Sequence, residues 1–183
     1  MAFLETLLRG GERLNSQHAL RLNVGFLLNK DTGYSRNFEF DEPAVHLGDD
    51  LDVTDLHGAL RLTRTGEGLY AYGSMEASIS LDCVRCLMPY QQTLQLALDD
   101  LFAFPPGRES DPLLSIPESG ILDLNPIVRE YFLLDIPIQP LCRKDCKGLC
   151  PVCGGNLNES DCNHTQDEID PRLGALRALI DHS

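Results

Sequence analysis

Eight residues of this chain have the chemistry of soft metal ligands: Cys83, Cys86, Cys142, Cys146, Cys150, Cys153, Cys162 and His164. Five of the seven cysteines fall between Cys142 and His164, in a polar stretch with too little apolar sequence to bury them as inert thiols. Within it, Cys150-Pro151-Val152-Cys153-Gly154-Gly155 is a two-thiolate turn. A tetrahedral metal needs two thiolates about 3.5–4 Å apart, and a Cys-x-x-Cys turn supplies that separation. The two glycines that follow tolerate the positive φ needed to wrap backbone around the second sulfur. Zinc is the ion this donor set points to.

A second Cys-x-x-Cys, Cys83-Val84-Arg85-Cys86, has strand-like sequence on both sides. A thioredoxin-type redox pair instead opens a helix, whose dipole lowers the thiol pKa, so ligation is the expected role. Eight ligands suit two four-coordinate sites, and the sequence leaves two partitions open. In one, Cys150, Cys153, Cys162 and His164 close a local site, while Cys83, Cys86, Cys142 and Cys146 form a second. In the other, the two Cys-x-x-Cys turns share one ribbon-like site of Cys83, Cys86, Cys150 and Cys153. A site filled by four protein ligands has no open position for water, so a structural role is expected over a catalytic one. The cations Arg143, Lys144 and Lys147 stand among these thiols, where they would offset thiolate charge; contact with RNA phosphate is the alternative.

Composition narrows the class of partner. The 183 residues carry a formal net charge of -13. Nucleic-acid binding draws much of its affinity from neutralised phosphates, and no long basic stripe is present, so a basic protein is the better-matched partner. No run of about 18 apolar residues could span a bilayer. The opening MAFLETLLRGGERL lacks the pattern of a signal peptide, and a cytoplasmic location is expected. In that compartment clustered cysteines bind metal more often than they form disulfides. Phosphate-binding glycine loops and serine elbows are absent from the sequence.

The elements that must position these ligands read as mostly β. Ala2–Arg9 has helical spacing. Alternation over Leu20–Phe26 and Tyr34–Phe40 predicts two strands. Leu51–Thr65 and Leu69–Leu81 predict a long hairpin about the turn Thr65-Gly66-Glu67-Gly68, with Cys83 and Cys86 just past its end. Gln92–Phe104 is the expected return strand. Asn125 as N-cap with Pro126 at the first helical position opens a helix that Asp135-Ile136-Pro137 stops. Asp170-Pro171 opens a last one. The expected fold is α+β: an antiparallel β core, barrel-like or strongly curved, with a few helices and a Cys-rich zinc-binding C-terminal segment. The expected division is a β-rich core domain over 1–141 and a zinc-knuckle segment with the last helix over 142–183.

Leu81-Asp82-Cys83-Val84-Arg85-Cys86-Leu87, Leu134-Asp135-Ile136-Pro137, the run Cys142 to Gly154, Asn156-Leu157-Asn158 and Asp170-Pro171-Arg172-Leu173, in that order, resemble the bacterial YceD-like family of large ribosomal RNA subunit accumulation proteins. One departure is Cys162-Asn163-His164, where the family pattern suggests Cys-x-Cys; histidine for cysteine keeps a zinc ligand. The resemblance implies a non-enzymatic role in accumulation of 23S rRNA and in large-subunit biogenesis. It implies a ribosomal protein or pre-ribosomal particle as partner, with 23S rRNA as a further candidate. The rival readings are a cytosolic thiol redox protein, a nuclease, and a zinc- or redox-responsive binding module.

Overall fold

A computed structural model describes residues 19–48, 50–107 and 111–164. The helices expected over Ala2–Arg9 and from Asp170 lie outside the described residues. Strand β1 (Arg21–Asn23), helix α1 (Gly25–Leu28), strands β2 (Ser35–His46), β3 (Asp52–Arg64), β4 (Gly68–Asp82), β5 (Pro89–Ala103) and β6 (Ile121–Asp123), and helix α2 (Asn125–Asp135) follow in chain order. The chain divides into two compact units. One comprises the residues up to Leu81 together with Gln91–Ile138; the other comprises Asp82–Tyr90 together with the residues from Gln139 onward.

The first unit is a four-stranded antiparallel sheet in the order β2-β3-β4-β5, with a two-stranded β1-β6 ribbon. The long hairpin is present, with Leu62 opposite Ala71 and Thr63 opposite Tyr70. Apolar residues at every second position put one face inward: Leu60 and Leu62 from β3, Leu69, Ala71 and Met75 from β4, Leu94, Leu96, Leu98 and Phe102 from β5. Helix α2 adds Ile127, Val128 and Phe132 to the same cluster. Tyr131 Oη donates to Asp100 at 2.8 Å, and the Asp135 carboxylate accepts from the backbone N–H of Gln95 at 2.8 Å.

The sheet is open, which corrects the expected barrel or strong curl. Closure needs β2 to pair with β5, and both are edges. Pro43 lies within β2 and has no N–H to give a further strand. Beside it, β3 carries a bulge between Thr54 and His57, with Asp55 at φ 52°. At the other edge Asp135 takes one of β5's outward N–H groups. Alternation reported one buried face correctly but carries no information about whether the edges meet.

Two local expectations also change. The alternating run Leu20–Phe26 is strand only over Arg21–Asn23; it turns at Val24, whose N–H bonds Gly120, and becomes α1. Asn125 lies inside α2 and Leu124 occupies the N-cap position. The capping oxygen comes from Asp123, which accepts from the Asn125 N–H at 3.0 Å. Among the described residues no helix is long and apolar enough to cross a membrane.

Candidate metal centres

The second unit brings the eight sulfur and imidazole residues into two groups of four. Cys83, Cys86, Cys142 and Cys146 form one; Cys150, Cys153, Cys162 and His164 form the other. Within each group the candidate ligand atoms all lie within 4.8 Å of one another. The eight side chains thus cluster as in the first of the two partitions, and the two Cys-x-x-Cys turns do not fall in one group.

Backbone geometry builds the first group. After Cys83 the chain turns back on itself: Leu87 N–H donates to Cys83 O at 2.8 Å, and Cys83 N–H to Met88 O at 3.0 Å. Leu87 takes φ 58°, a left-handed conformation that a leucine adopts only when its surroundings impose it. Val84 N–H donates to Pro140 O at 2.9 Å, which brings the segment carrying Cys142 alongside. Cys83 Sγ then lies 3.8 Å from Cys146 Sγ, and Cys86 Sγ 3.7 Å from Cys142 Sγ. A disulfide would hold its sulfurs at about 2.05 Å. A tetrahedron with metal–sulfur bonds of about 2.3 Å has edges of about 3.8 Å. The donors present thus fit a four-coordinate thiophilic ion. Cys83, Cys86 and Cys146 are buried and Cys142 is partly so.

Electrostatics points the same way. Backbone N–H groups of Cys142, Cys86 and Arg85 hold the Cys83 thiol down to about 6. Burial, then the neighbouring sulfurs of Cys86, Cys146 and Cys83, pushes Cys142 up to about 12. Burial opposes ionisation of Cys146, but the Asn158 amide and the Gly148 N–H outweigh it and lower its pKa. Four sulfurs this close cannot all ionise without a cation among them. Protons and metal compete for the same sulfurs, so affinity falls as pH falls.

Asn158 is a residue that ligand spacing could not find. Its Nδ2 donates to Cys146 Sγ at 3.3 Å, and its Oδ1 accepts from Lys147 N–H at 2.9 Å and Arg143 Nη2 at 2.7 Å. Arg85 ties the two segments of this group together: its guanidinium donates to Cys146 O at 2.9 Å, and its own carbonyl accepts from Leu149 N–H at 3.1 Å. The only sequence signal for Asn158 was its place in Asn156-Leu157-Asn158. Partners that orient a metal ligand typically carry 10–100-fold in affinity. Asn158→Ala is expected to weaken metal binding at the first group by about 10–100-fold, read by competition with a chromophoric chelator. Unchanged affinity would remove Asn158 from the site.

The second group is built by a tight turn, in which Gly154 N–H donates to Cys150 O and Cys150 N–H to Gly155 O, each at 2.8 Å. Gly154 takes φ 71°, as its position after the knuckle required. The N–H of Cys153, the Cys162 thiol and the N–H of Val152 hold Cys150 down to about 6. His164 Nδ1 lies 3.8 Å from Cys150 Sγ. Cys153 is exposed and Cys162 half-buried, so this group faces water where the first does not. Lys147 reaches Asp161 at 3.4 Å and Arg143 reaches Asp145 at 3.7 Å, so two of the cations among the thiols are committed to carboxylates.

A family model described as large ribosomal RNA subunit accumulation protein YceD matches residues 71–180, which include both groups. The chain belongs to this family. Among its YceD relatives, an uncharacterized protein of Mycobacterium tuberculosis is 36% identical over 126 residues, covering 66% of this chain and 60% of its own. The Bacillus subtilis protein YlbN, also uncharacterized, is 29% identical over 109 residues, covering 58% and 63%. A chloroplastic protein of Arabidopsis thaliana named large ribosomal RNA subunit accumulation protein YCED homolog 1 is 36% identical over 69 residues, covering 38% and 22%. The chain thus spans about 60% of the length of the mycobacterial relatives. No solved structure matches it.

Proposed function

We propose that this chain is a non-enzymatic, zinc-stabilised factor in the accumulation of 23S rRNA and the biogenesis of the large ribosomal subunit. The observation that carries the ribosomal part is the YceD match over residues 71–180. The zinc part is supported by two four-ligand groups with thiophilic donors and, in the first, tetrahedral spacing. Zinc would tie Cys83 and Cys86 to the distant Cys142 and Cys146 in the first group, and would close the local turn from Cys150 to His164 in the second. Four-ligand sets leave no open coordination position, which supports a structural role. The partner in this reading is a ribosomal protein or a pre-ribosomal particle.

Two measurements test it. Loss of the gene product is expected to lower the ratio of 23S to 16S rRNA, and an unchanged ratio would refute the ribosomal role. Metal analysis of the full chain is expected to give two zinc ions, falling to one in Cys83→Ser and to one in Cys153→Ser. Loss of all metal from both variants would mean that the two groups are not independent sites.

A further inference from the structure

The buried face of the β2-β3-β4-β5 sheet is accounted for by the core, and its opposite face is open. Tyr70 and Tyr72 stand on it from β4, 36% and 60% exposed. Register places Arg61 and Asn37 in the Tyr72 row, and Ala59 and Glu39 in the next row with Ser74. Arg61 is directed away from Tyr72: its Nη2 donates to Ser35 Oγ at 2.7 Å. Among the described residues no cation lies over either tyrosine ring, whereas Tyr34, Phe26 and Phe38 each have one.

Carboxylates stand on the same face. Asp99 accepts from Tyr70 Oη at 2.6 Å, and Glu76 accepts from the Gln95 amide at 3.2 Å and lies 3.7 Å from His57. Glu76 and Asp135 line a shallow depression whose floor includes Ser74 and Ala97. The surrounding field has the same sign. The described residues of the first unit carry sixteen carboxylates against six lysines and arginines, whereas those of the second carry four of each. Among the described residues the acidity is thus concentrated in the unit that bears this face.

We propose that the open sheet face around Tyr70 and Tyr72 is a docking surface for an arginine- and lysine-rich protein segment, the cations seating on the tyrosine rings and against Glu39, Glu76 and Asp99. Charge complementarity selects the occupant. Exposed tyrosine faces attract guanidinium and ammonium groups, and the neighbouring small residues, Ala59 opposite Ser74 and Ala97 in the same depression as Ser74, add no bulk beside the rings. Nucleic-acid bases would also stack on tyrosines, but their phosphates would meet three carboxylates and one arginine. The biological identity of the segment, a basic ribosomal protein, rests on the function proposed above; the surface itself does not.

Fluorescence anisotropy of a labelled dodecapeptide alternating arginine and alanine, with the full chain, tests the surface. Tyr72→Ala, and separately the triple variant Glu39→Gln/Glu76→Gln/Asp99→Asn, are each expected to weaken binding about tenfold. The triple variant Asp31→Asn/Glu67→Gln/Glu118→Gln changes net charge equally at exposed positions off the face and is expected to change binding less than about threefold. Equal losses in the two triple variants would show diffuse attraction and overturn the proposal. So would absence of peptide binding, or an oligouridine that binds the wild type and is lost on Tyr72→Ala. A normal 23S-to-16S ratio without the gene product, alongside peptide binding that follows the face, would refute only the ribosomal reading. The converse pair of results would refute only the docking surface.

Discussion

Removal of the proposed zinc ions with a high-affinity chelator is expected to unfold the second unit and leave the sheet of the first standing. The reason lies in what the second unit has for a core. Its buried cluster is Cys83, Cys86 and Cys146, with Tyr90, Leu141 and Cys142 packed against it. Between residues 139 and 164 there is no helix or strand, only an isolated bridge of Leu149 to Asn156. Ordering each residue of such a segment opposes folding by about 1–2 kcal/mol, and four buried cysteines, Cys150 among them, with a few partly buried neighbours cannot offset that. Structural zinc sites contribute about 10–16 kcal/mol of apparent binding free energy. The first unit differs: Phe102, Phe132 and a set of fully buried leucines make a core that uses no cysteine. Hydrogen exchange is the direct measurement. Chelation should expose the amides of residues 142–158 to rapid exchange while the amides of β3 and β4 stay protected. Protection that survives complete metal removal would show that the unit folds without metal. Cys146→Ser should reproduce the effect of the chelator more strongly than Cys153→Ser, because the first group is buried and the second faces water.

The eight candidate ligands could be picked out by residue type and spacing, because Cys-x-x-Cys turns and the glycines after Cys153 impose their own local geometry. The partition could not. Cys83 and Cys142 are brought together by Val84 N–H to Pro140 O, a contact between segments far apart in sequence, and nothing in either segment names the other. The hairpin of β3 and β4 was readable because its apolar residues alternate on both sides of a turn with glycines. Openness of the sheet was not, since it depends on Pro43, a bulge at Asp55 and a carboxylate from α2, each of which acts only once the strands are assembled. Asn158 and Asp123 show the same limit on a smaller scale. Each is one polar residue in a polar stretch, and its role is defined by the sulfur or N–H it meets. The tyrosines of the open face were implicit in the alternation of Leu69, Tyr70, Ala71 and Tyr72, but their lack of a cation is a property of the assembled rows.

Gly68→Ala is expected to destabilise the first unit by about 4 kcal/mol or more, the range reached when a substitution forces backbone apart. Gly68 opens β4 at φ 157°, and a Cβ there would sit 1.9 Å from the carbonyl oxygen of Phe102 and 2.9 Å from the amide nitrogen of Phe104. Neither atom can yield by a rotamer change, because both belong to the backbone at the end of β5. That backbone is already fixed from two sides: Phe104 N–H donates to Glu67 O at 2.9 Å, and the Phe102 ring is fully buried. Relief of the clash must draw β5 away from β4 and pull Phe102 out of its packing. Gly66, in the same turn, is the control, because a Cβ added there meets nothing within 4 Å. Gly66→Ala is expected to be neutral or to stabilise by about 0.4–1 kcal/mol through the unfolded chain. Urea denaturation followed by far-UV circular dichroism should separate the two variants by several kcal/mol, and equal midpoints would mean that β4 and β5 do not approach this closely at Gly68. The same displacement would separate Tyr70 on β4 from Asp99 on β5. A Gly68→Ala chain that still folds should therefore also bind the arginine-rich peptide less tightly, although the substitution touches neither side chain of that row.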